Sequence, residues 1–370
     1  MNGARELGQH VQQVWSDEIV PELCDYIEIP CVSSDYDPDW KAHGHLDRAV
    51  EQIRRWCAAR PIAGLSVEVM ELPGRTPLII AEVSAFGGGD PDDTVMLYGH
   101  CDKQPEMTGW RDDLGPWKPV IEGDRLYGRG GADDGYAAFA SLLAIEAAQA
   151  AGHAHTRLIV LIEASEESGS PDLPDYLHAL RDRIGSPSLV LCLDSGCIDH
   201  ERLWVTTSLR GLVSGVLRVE VLEEGVHSGE ASGVVPSSFR IARQLLDRLE
   251  DSATGKMLLR ELYADIPPDR LAQAADTAAE FPIEGHYPWV QGVRPIPPVL
   301  RRRRLRGRGR QRPPGLRDHR LLDQDQKLSA GVYRHRHAHG HRSPRGEAVG
   351  RERPRPAVAA HARVLGHGQA

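Results

Sequence analysis

Apolar residues at Leu7, Val11, Val14, Ile19, Leu23 and Ile27 recur at close to helical spacing and predict an amphipathic helix from Arg5 to Ile27. Leu46, Val50, Ile53 and Cys57 predict a second helix. Three runs rich in β-formers follow, Ser66–Leu72, Leu78–Val83 and Thr94–Tyr98. A glycine-rich loop, Gly128–Gly131, then leads into an Ala/Leu-rich helix from about Gly135 to Ala151. Beyond it lie an apolar strand, Leu158–Ile162, a helix near Pro171–Leu180, and a further apolar strand, Leu189–Leu193. Strands that are apolar on every residue need cover on both faces, and their alternation with helices predicts an α/β domain built on a parallel sheet.

Past about Arg202 the texture changes. Leu212–Leu222 alternates like a strand with one wet face, and Ser237–Leu249 carries Ile241, Leu245 and Leu249 on one helical side. Helical segments are expected over Met257–Tyr263 and Leu271–Ala279, until Pro295, Pro297 and Pro298 interrupt regular structure. The expected organisation is an α/β domain at 1–205, a smaller α+β domain at 206–300, and an atypical disordered tail at 301–370.

Composition sharpens this division. Over 370 residues, 41% are hydrophobic and 26% charged, which excludes a chain disordered throughout and describes a soluble globular protein of about two domains. No apolar run approaches the roughly 18 residues that span a bilayer, and the mixed polar start, Met1–Val20, carries no secretory pattern. Six cysteines without a Cys-x-x-Cys pair predict a reducing, cytoplasmic setting. The net charge of −9 hides an asymmetry: residues 301–370 hold 18 Arg and one Lys against five acids, whereas residues 1–300 hold 25 basic against 48 acidic groups. With one aromatic residue, Tyr333, the basic segment has too little apolar surface to offset its ordering entropy. Three origins compete: a phosphate-binding tail, a His/Arg block that chelates metal adventitiously, and a shifted reading frame in GC-rich coding DNA. Composition favours the third, and nucleic-acid binding ranks last.

The candidate chemistry sits just past the carboxyl ends of three apolar strands. His100 and Asp102 follow the first, Glu166 and Glu167 the second, and Asp194 the third, with Asp133 after the Gly-rich loop. That edge of an open parallel sheet is where ligands bind. Taken singly, each acid is explained by a helix cap or a solvated strand end. Taken together, the acids would repel one another unless a cation neutralised them, and one imidazole with several carboxylates suits zinc or a similar divalent ion, shared between two metals.

Four motifs stand in order: Gly99-His100-Cys101-Asp102-Lys103-Gln104-Pro105, Gly128-Arg129-Gly130-Gly131-Ala132-Asp133-Asp134, Glu163-Ala164-Ser165-Glu166-Glu167-Ser168-Gly169-Ser170 and Leu193-Asp194-Ser195-Gly196. Over roughly residues 5–299 the chain resembles the co-catalytic di-zinc exopeptidases, which include carnosinase-type dipeptidases, aminoacylases, glutamate carboxypeptidases and succinyl-diaminopimelate desuccinylase. The resemblance implies two Zn2+ per subunit, with Mn2+ or Co2+ as substitutes. It implies that His100 and Asp194 hold one ion, that Glu167 holds the other, and that Asp133 bridges them. Asp102 would orient His100. Glu166 would take a proton from the attacking water and pass it to the leaving amine. His227, within Gly225-Val226-His227-Ser228-Gly229, would stabilise the oxyanion, often from the partner subunit of a homodimer. Small peptides or N-acyl amino acids are the implied substrates, and the His100-x-Asp102 and Glu166-Glu167-Ser-Gly-Ser forms look more like the dipeptidase branch. Two departures stand out: Gly135-Tyr136 follows Asp133-Asp134 where the family has Lys-Gly, and no segment past Leu300 matches the family's returning strands and final histidine ligand. An inactive metal-binding remnant of such an enzyme is therefore the alternative reading. Reductase chemistry is disfavoured because the Gly128–Gly131 loop lacks the full dinucleotide-binding spacing.

Overall fold

The structure, a computed structural model, describes residues 3–280 except 198, 200, 201, 208 and 210, together with 287, 289–293 and the backbone of 362–364. The chain divides into two compact units, Met1–Trp204 and Val205–Ala370.

The first unit opens with α1 (Ala4–Val14) and α2 (Val20–Ile27), joined by a single wide turn over Trp15–Ile19. The single helix expected from Arg5 to Ile27 is therefore continuous but loosened once. Pro21 supplies the reason: its ring cannot fit against the carbonyl one regular turn back, and Val20 N–H bonds instead to Trp15 O in the wider pattern. A short helical turn, α3 (Trp40–His43), precedes α4 (His45–Ala58), whose buried Leu46, Val50, Ile53 and Cys57 are the stripe read from the sequence. Five strands build one sheet: β1 (Leu65–Met70), β2 (Leu78–Val83), β3 (Thr94–His100), β6 (Arg157–Glu163) and β7 (Leu189–Cys192). The small hairpin β4 (Val120–Glu122) with β5 (Arg125–Tyr127) stands apart from it. The order is β1-β2-β6-β3-β7. The three strands expected to be parallel, β3, β6 and β7, are parallel, while β1 and β2 extend the sheet antiparallel.

Side-chain alternation divides the core between two faces. From β2 and β6, Ile79, Ala81, Val83, Val160 and Ile162 pack with Tyr26, Leu46, Ile53 and with Phe139 and Leu142 of α5 (Ala137–Ala150). The intervening Leu78, Ile80, Ile159 and Leu161 pack on the other face with Tyr176 of α6 (Leu173–Ala179) and Ile184 of α7 (Arg181–Ile184). This is the two-sided cover that fully apolar strands require. It fails at β7, where Leu189, Val190 and Leu191 are 48%, 51% and 44% exposed. Among the described residues, β7 has a strand neighbour on one edge only.

The second unit contains β8 (Gly215–Leu217), α8 (Ser228–Ala231), α9 (Ser238–Leu246), β9 (Glu250–Asp251), β10 (Lys256–Met257) and α10 (Pro268–Glu280). The helices expected at Ser237–Leu249 and Leu271–Ala279 are present, and Ser237 caps α9 by accepting from Arg240 N–H. Two expectations are corrected. The alternating segment Leu212–Leu222 forms regular strand only over β8, and Met257–Tyr263 is not an α-helix but the end of β10 followed by one 3-10 turn. Most residues of 212–222 and 258–261 are exposed, and tertiary packing, more than local pattern, stabilises short helices and strands. The prolines at 295, 297 and 298, and the Arg-rich segment 301–370 apart from a three-residue strand, β11 (Ala362–Val364), antiparallel to β8, lie outside the described residues. Among the described residues, no helix is long and apolar enough to cross a membrane.

Candidate metal centre

Strand register brings the candidate groups to one edge. In the parallel β3/β6 pair His100 stands level with Glu163, and in the β3/β7 pair Tyr98 stands level with Cys192. Leu193 N–H then bonds Tyr98 O at 3.0 Å, so the turn carrying Asp194 leaves beside the turn carrying His100. The fourth segment, Gly131–Gly135, enters from the amino end of α5. Gly99 makes that approach possible: a Cβ there would lie 2.4 Å from Ala137 Cβ and 2.6 Å from Asp134 Oδ2. Gly130, at φ 85°, is required twice over, because its conformation disfavours other residues and a Cβ would strike the Lys103 side chain at 2.5 Å.

His100 is 1% exposed. Its Nδ1–H points to the backbone carbonyl of Asp102 at 3.1 Å, which leaves Nε2 turned towards Asp133 Oδ1 at 3.4 Å, Asp194 Oδ2 at 3.8 Å and Glu166 Oε2 at 3.9 Å. Donor atoms of His100, Asp133 and Asp194 all lie within 4.8 Å of one another. Nε2 is buried and has no hydrogen-bond partner among the described residues, and the same holds for Glu167 Oε1. A nitrogen and several carboxylate oxygens that converge without satisfying one another fit a divalent cation of the zinc type.

The Asp102 carboxylate, expected to orient His100, lies beside the imidazole and also reaches the glutamate turn. Its Oδ1 is 3.5 Å from Nδ1, farther than its own backbone carbonyl, while Oδ1 and Oδ2 accept the backbone N–H groups of Glu166 and Glu167 at 3.1 and 3.0 Å. The carboxylate thus docks the Glu166–Glu167 turn against the histidine strand. Glu163 anchors the other side of that turn, accepting from Tyr98, Ser165 and Ser170. Sequence reading also gave no role to Gln104, which donates to Glu167 Oε2, or to Asp134, which is fully buried and accepts from His100 N–H at 3.2 Å. Gln104 lies inside the quoted motif, but its partner is 63 positions away and no local spacing indicates it. Tyr136, the departure from the family pattern, donates its hydroxyl to Leu193 O and so ties α5 to the residue before Asp194. His227 stands in the second unit, exposed, its Nδ1 accepting from Gly229 N–H at 3.1 Å.

The electrostatics follow from this crowding. Burial pushes His100 down, but the surrounding carboxylates of Asp102, Asp133 and Asp134 outweigh it and raise the imidazole to about 11. Burial raises Glu166 to about 7, with Glu167 and Asp194 adding repulsion against the relief from His100. Asp134 is also raised to about 7, chiefly by burial. Asp133 is lowered, first by the His100 imidazole beside it. Without a cation, protons do the neutralising.

Imidazole and carboxylates gathered at the carboxyl edge of an α/β sheet stand where such sheets bind ligands. Residues 96–346 match the sequence profile of the peptidase family M20/M25/M40, and the chain belongs to that family. The matched stretch continues past residue 299, where the motif resemblance stops. The chain is 27% identical over 262 residues to the human Beta-Ala-His dipeptidase, covering 68% of this chain and 50% of the relative. It is 28% identical over 242 residues to the Cys-Gly metallodipeptidase DUG1 of Saccharomyces cerevisiae, covering 63% and 50%. The chain thus spans about half the length of these relatives. The solved structure of the dipeptidase Dug1p from Saccharomyces cerevisiae shares the fold with a TM-score of 0.52 at 23% identity, over 76% of this chain and 60% of that one. A family metallo-carboxypeptidase from Sulfolobus solfataricus aligns with a TM-score of 0.50 at 19% identity, over 75% and 61%.

Proposed function

We propose that this chain is a metal-dependent hydrolase that cleaves the amide bond of dipeptides or N-acyl amino acids. One observation carries the reading: the buried, unpartnered Nε2 of His100 faces carboxylate oxygens of Asp133, Asp194 and Glu166 within 3.9 Å. His100 and Asp194 would hold one Zn2+, Glu167 would hold a second and Asp133 would serve both, with Mn2+ or Co2+ able to substitute. Bound there, the ions supply Lewis-acid polarisation of the scissile carbonyl and make water acidic enough to attack near neutral pH.

The chain's own residues do the rest. Glu166, raised to about 7 by burial and neighbouring acids, is poised to accept a proton from the attacking water and return it to the leaving amine. Asp102 keeps that carboxylate in reach by holding the Glu166 and Glu167 amides. His227 donates to the developing oxyanion, residues 206–300 serve as the lid that bears it, residues 1–205 form the metal-binding domain, and two chains pair through the lid. The names of the matched relatives favour dipeptides over N-acyl amino acids. The cysteine usage along the sequence fits a reducing, cytoplasmic setting.

Metal analysis with a dipeptide hydrolysis assay tests the reading. Glu166→Ala is expected to keep its bound metal while kcat falls about 10²–10⁴-fold. Unchanged turnover removes Glu166 from the mechanism, and a wild-type protein that binds no divalent ion overturns the proposal.

A further inference from the structure

We infer that Gln104 is a positioning residue that decides which oxygen of Glu167 is offered to a bound ion. The inference rests on the reading of Glu167 as a metal ligand. A carboxylate can only accept, so the contact between Gln104 and Glu167 Oε2 fixes the amide with its NH2 group towards the acid. That leaves Oε1 as the free oxygen, and Oε1 is the atom that is buried without a partner among the described residues. One oxygen is saturated and the other is left open.

The surroundings hold this arrangement rigidly. Glu167 is gripped twice by one short segment: its backbone N–H bonds Asp102 Oδ2 at 3.0 Å, and its side chain meets Gln104 two residues on. The intervening Lys103 pins the segment. Its N–H bonds Cys31 O at 3.0 Å, its carbonyl accepts Ser33 N–H at 2.9 Å, and its buried ammonium bonds Tyr26 O and Ile29 O at 2.7 Å each. The same segment begins with His100. The five residues from His100 to Gln104 therefore present one ligand, dock the glutamate turn and orient a second ligand from across the cluster. Removing the amide frees the Glu167 carboxylate to rotate or to engage the ion with both oxygens, without disturbing His100, Asp133 or Asp194.

The test compares Gln104→Leu, Gln104→Met and Glu167→Gln in the full-length chain. The readouts are Zn2+ stoichiometry and affinity by chelator competition, the visible absorption of the Co2+-loaded protein, and thermal unfolding of the metal-free protein. Glu167→Gln is expected to lose one of two ions. Gln104→Leu and Gln104→Met are expected to weaken that same ion about 10–100-fold, the range typical when a ligand's supporting partner is lost. The Co2+ band should shift, while the other ion's affinity and the metal-free melting temperature stay as in wild type. If Glu167→Gln keeps both ions at wild-type affinity, the reading of Glu167 as a ligand fails and the inference with it. If Glu167→Gln loses an ion but both Gln104 variants keep two ions and an unchanged Co2+ spectrum, the inference alone is overturned. Equal weakening of both ions with a lowered metal-free melting temperature in both variants also overturns it, in favour of a general packing role.

Discussion

The two units of this chain carry similar amphipathic patterns and use them differently. In the first, alternate residues of β2 and β6 enter opposite cores, and each face of the sheet is closed by helices. In the second, among the described residues, Met257 is the one buried apolar side chain, while Val216, Phe239 and Val234 are 78%, 83% and 79% exposed. Helix α9 has a clear apolar stripe and a satisfied N-cap, yet Ile241 and Leu245 on that stripe are only half-buried. An amphipathic stripe thus specifies an element and a face, but burial needs a second layer to meet it. The candidate metal-binding groups all lie in the unit that has both. Groups held at 3–4 Å from one another require a scaffold whose side chains cannot rearrange.

The comparison breaks most easily at matched phenylalanines. Phe139→Ala, in the first core, is expected to cost about 3–5 kcal/mol in denaturant unfolding, whereas Phe239→Ala should change stability by less than about 0.5 kcal/mol. Similar costs at both would show that the second unit has a core after all. Next in size is Lys103→Ala, expected to cost about 3 kcal/mol because it leaves the carbonyls of Tyr26 and Ile29 buried and unpartnered. Burial lowers this ammonium to about 8, so it remains charged at neutral pH, where the loss should be measured.

A smaller effect concerns pH. His100, raised to about 11, stabilises the metal-free fold fully below its ordinary range and loses that contribution as pH rises through 11. Asp134 and Glu166, raised to about 7, are folded best when neutral, so their contribution is present at acid pH and is lost as pH rises through 7. All three make the metal-free protein less stable with rising pH. Divalent ions replace those protons, so the melting temperature gained on adding Zn2+ should be larger at pH 8 than at pH 5. An equal gain at both would mean that the acids of the first unit do not share a cation.

Much of the first unit was legible from its residues. Leu78–Val83 and the starts of β3, β6 and β7 were found because continuous apolar runs leave few alternatives to a buried strand. The order of the strands was not legible, nor was the antiparallel placement of β2 beside β6, because these pairings join residues about 80 positions apart and no local signal encodes them. The wide turn before Pro21 was recoverable in principle, since the proline itself causes it.

The same boundary runs through the site. The sequence by itself determined the chemical inventory: one imidazole, five acids and the glycines that admit them, each tied to a strand end or a loop by residue type. The tertiary structure alone decided their assignments within the cluster. It set the Asp102 carboxylate between His100 and the glutamate turn, put Gln104 on one oxygen of Glu167, and sent Asp134 inward while Asp133 faces out. Hydrogen bonds are directional and reach about 3 Å, so which groups meet depends on strand register and helix approach, quantities that a linear string of side chains does not contain.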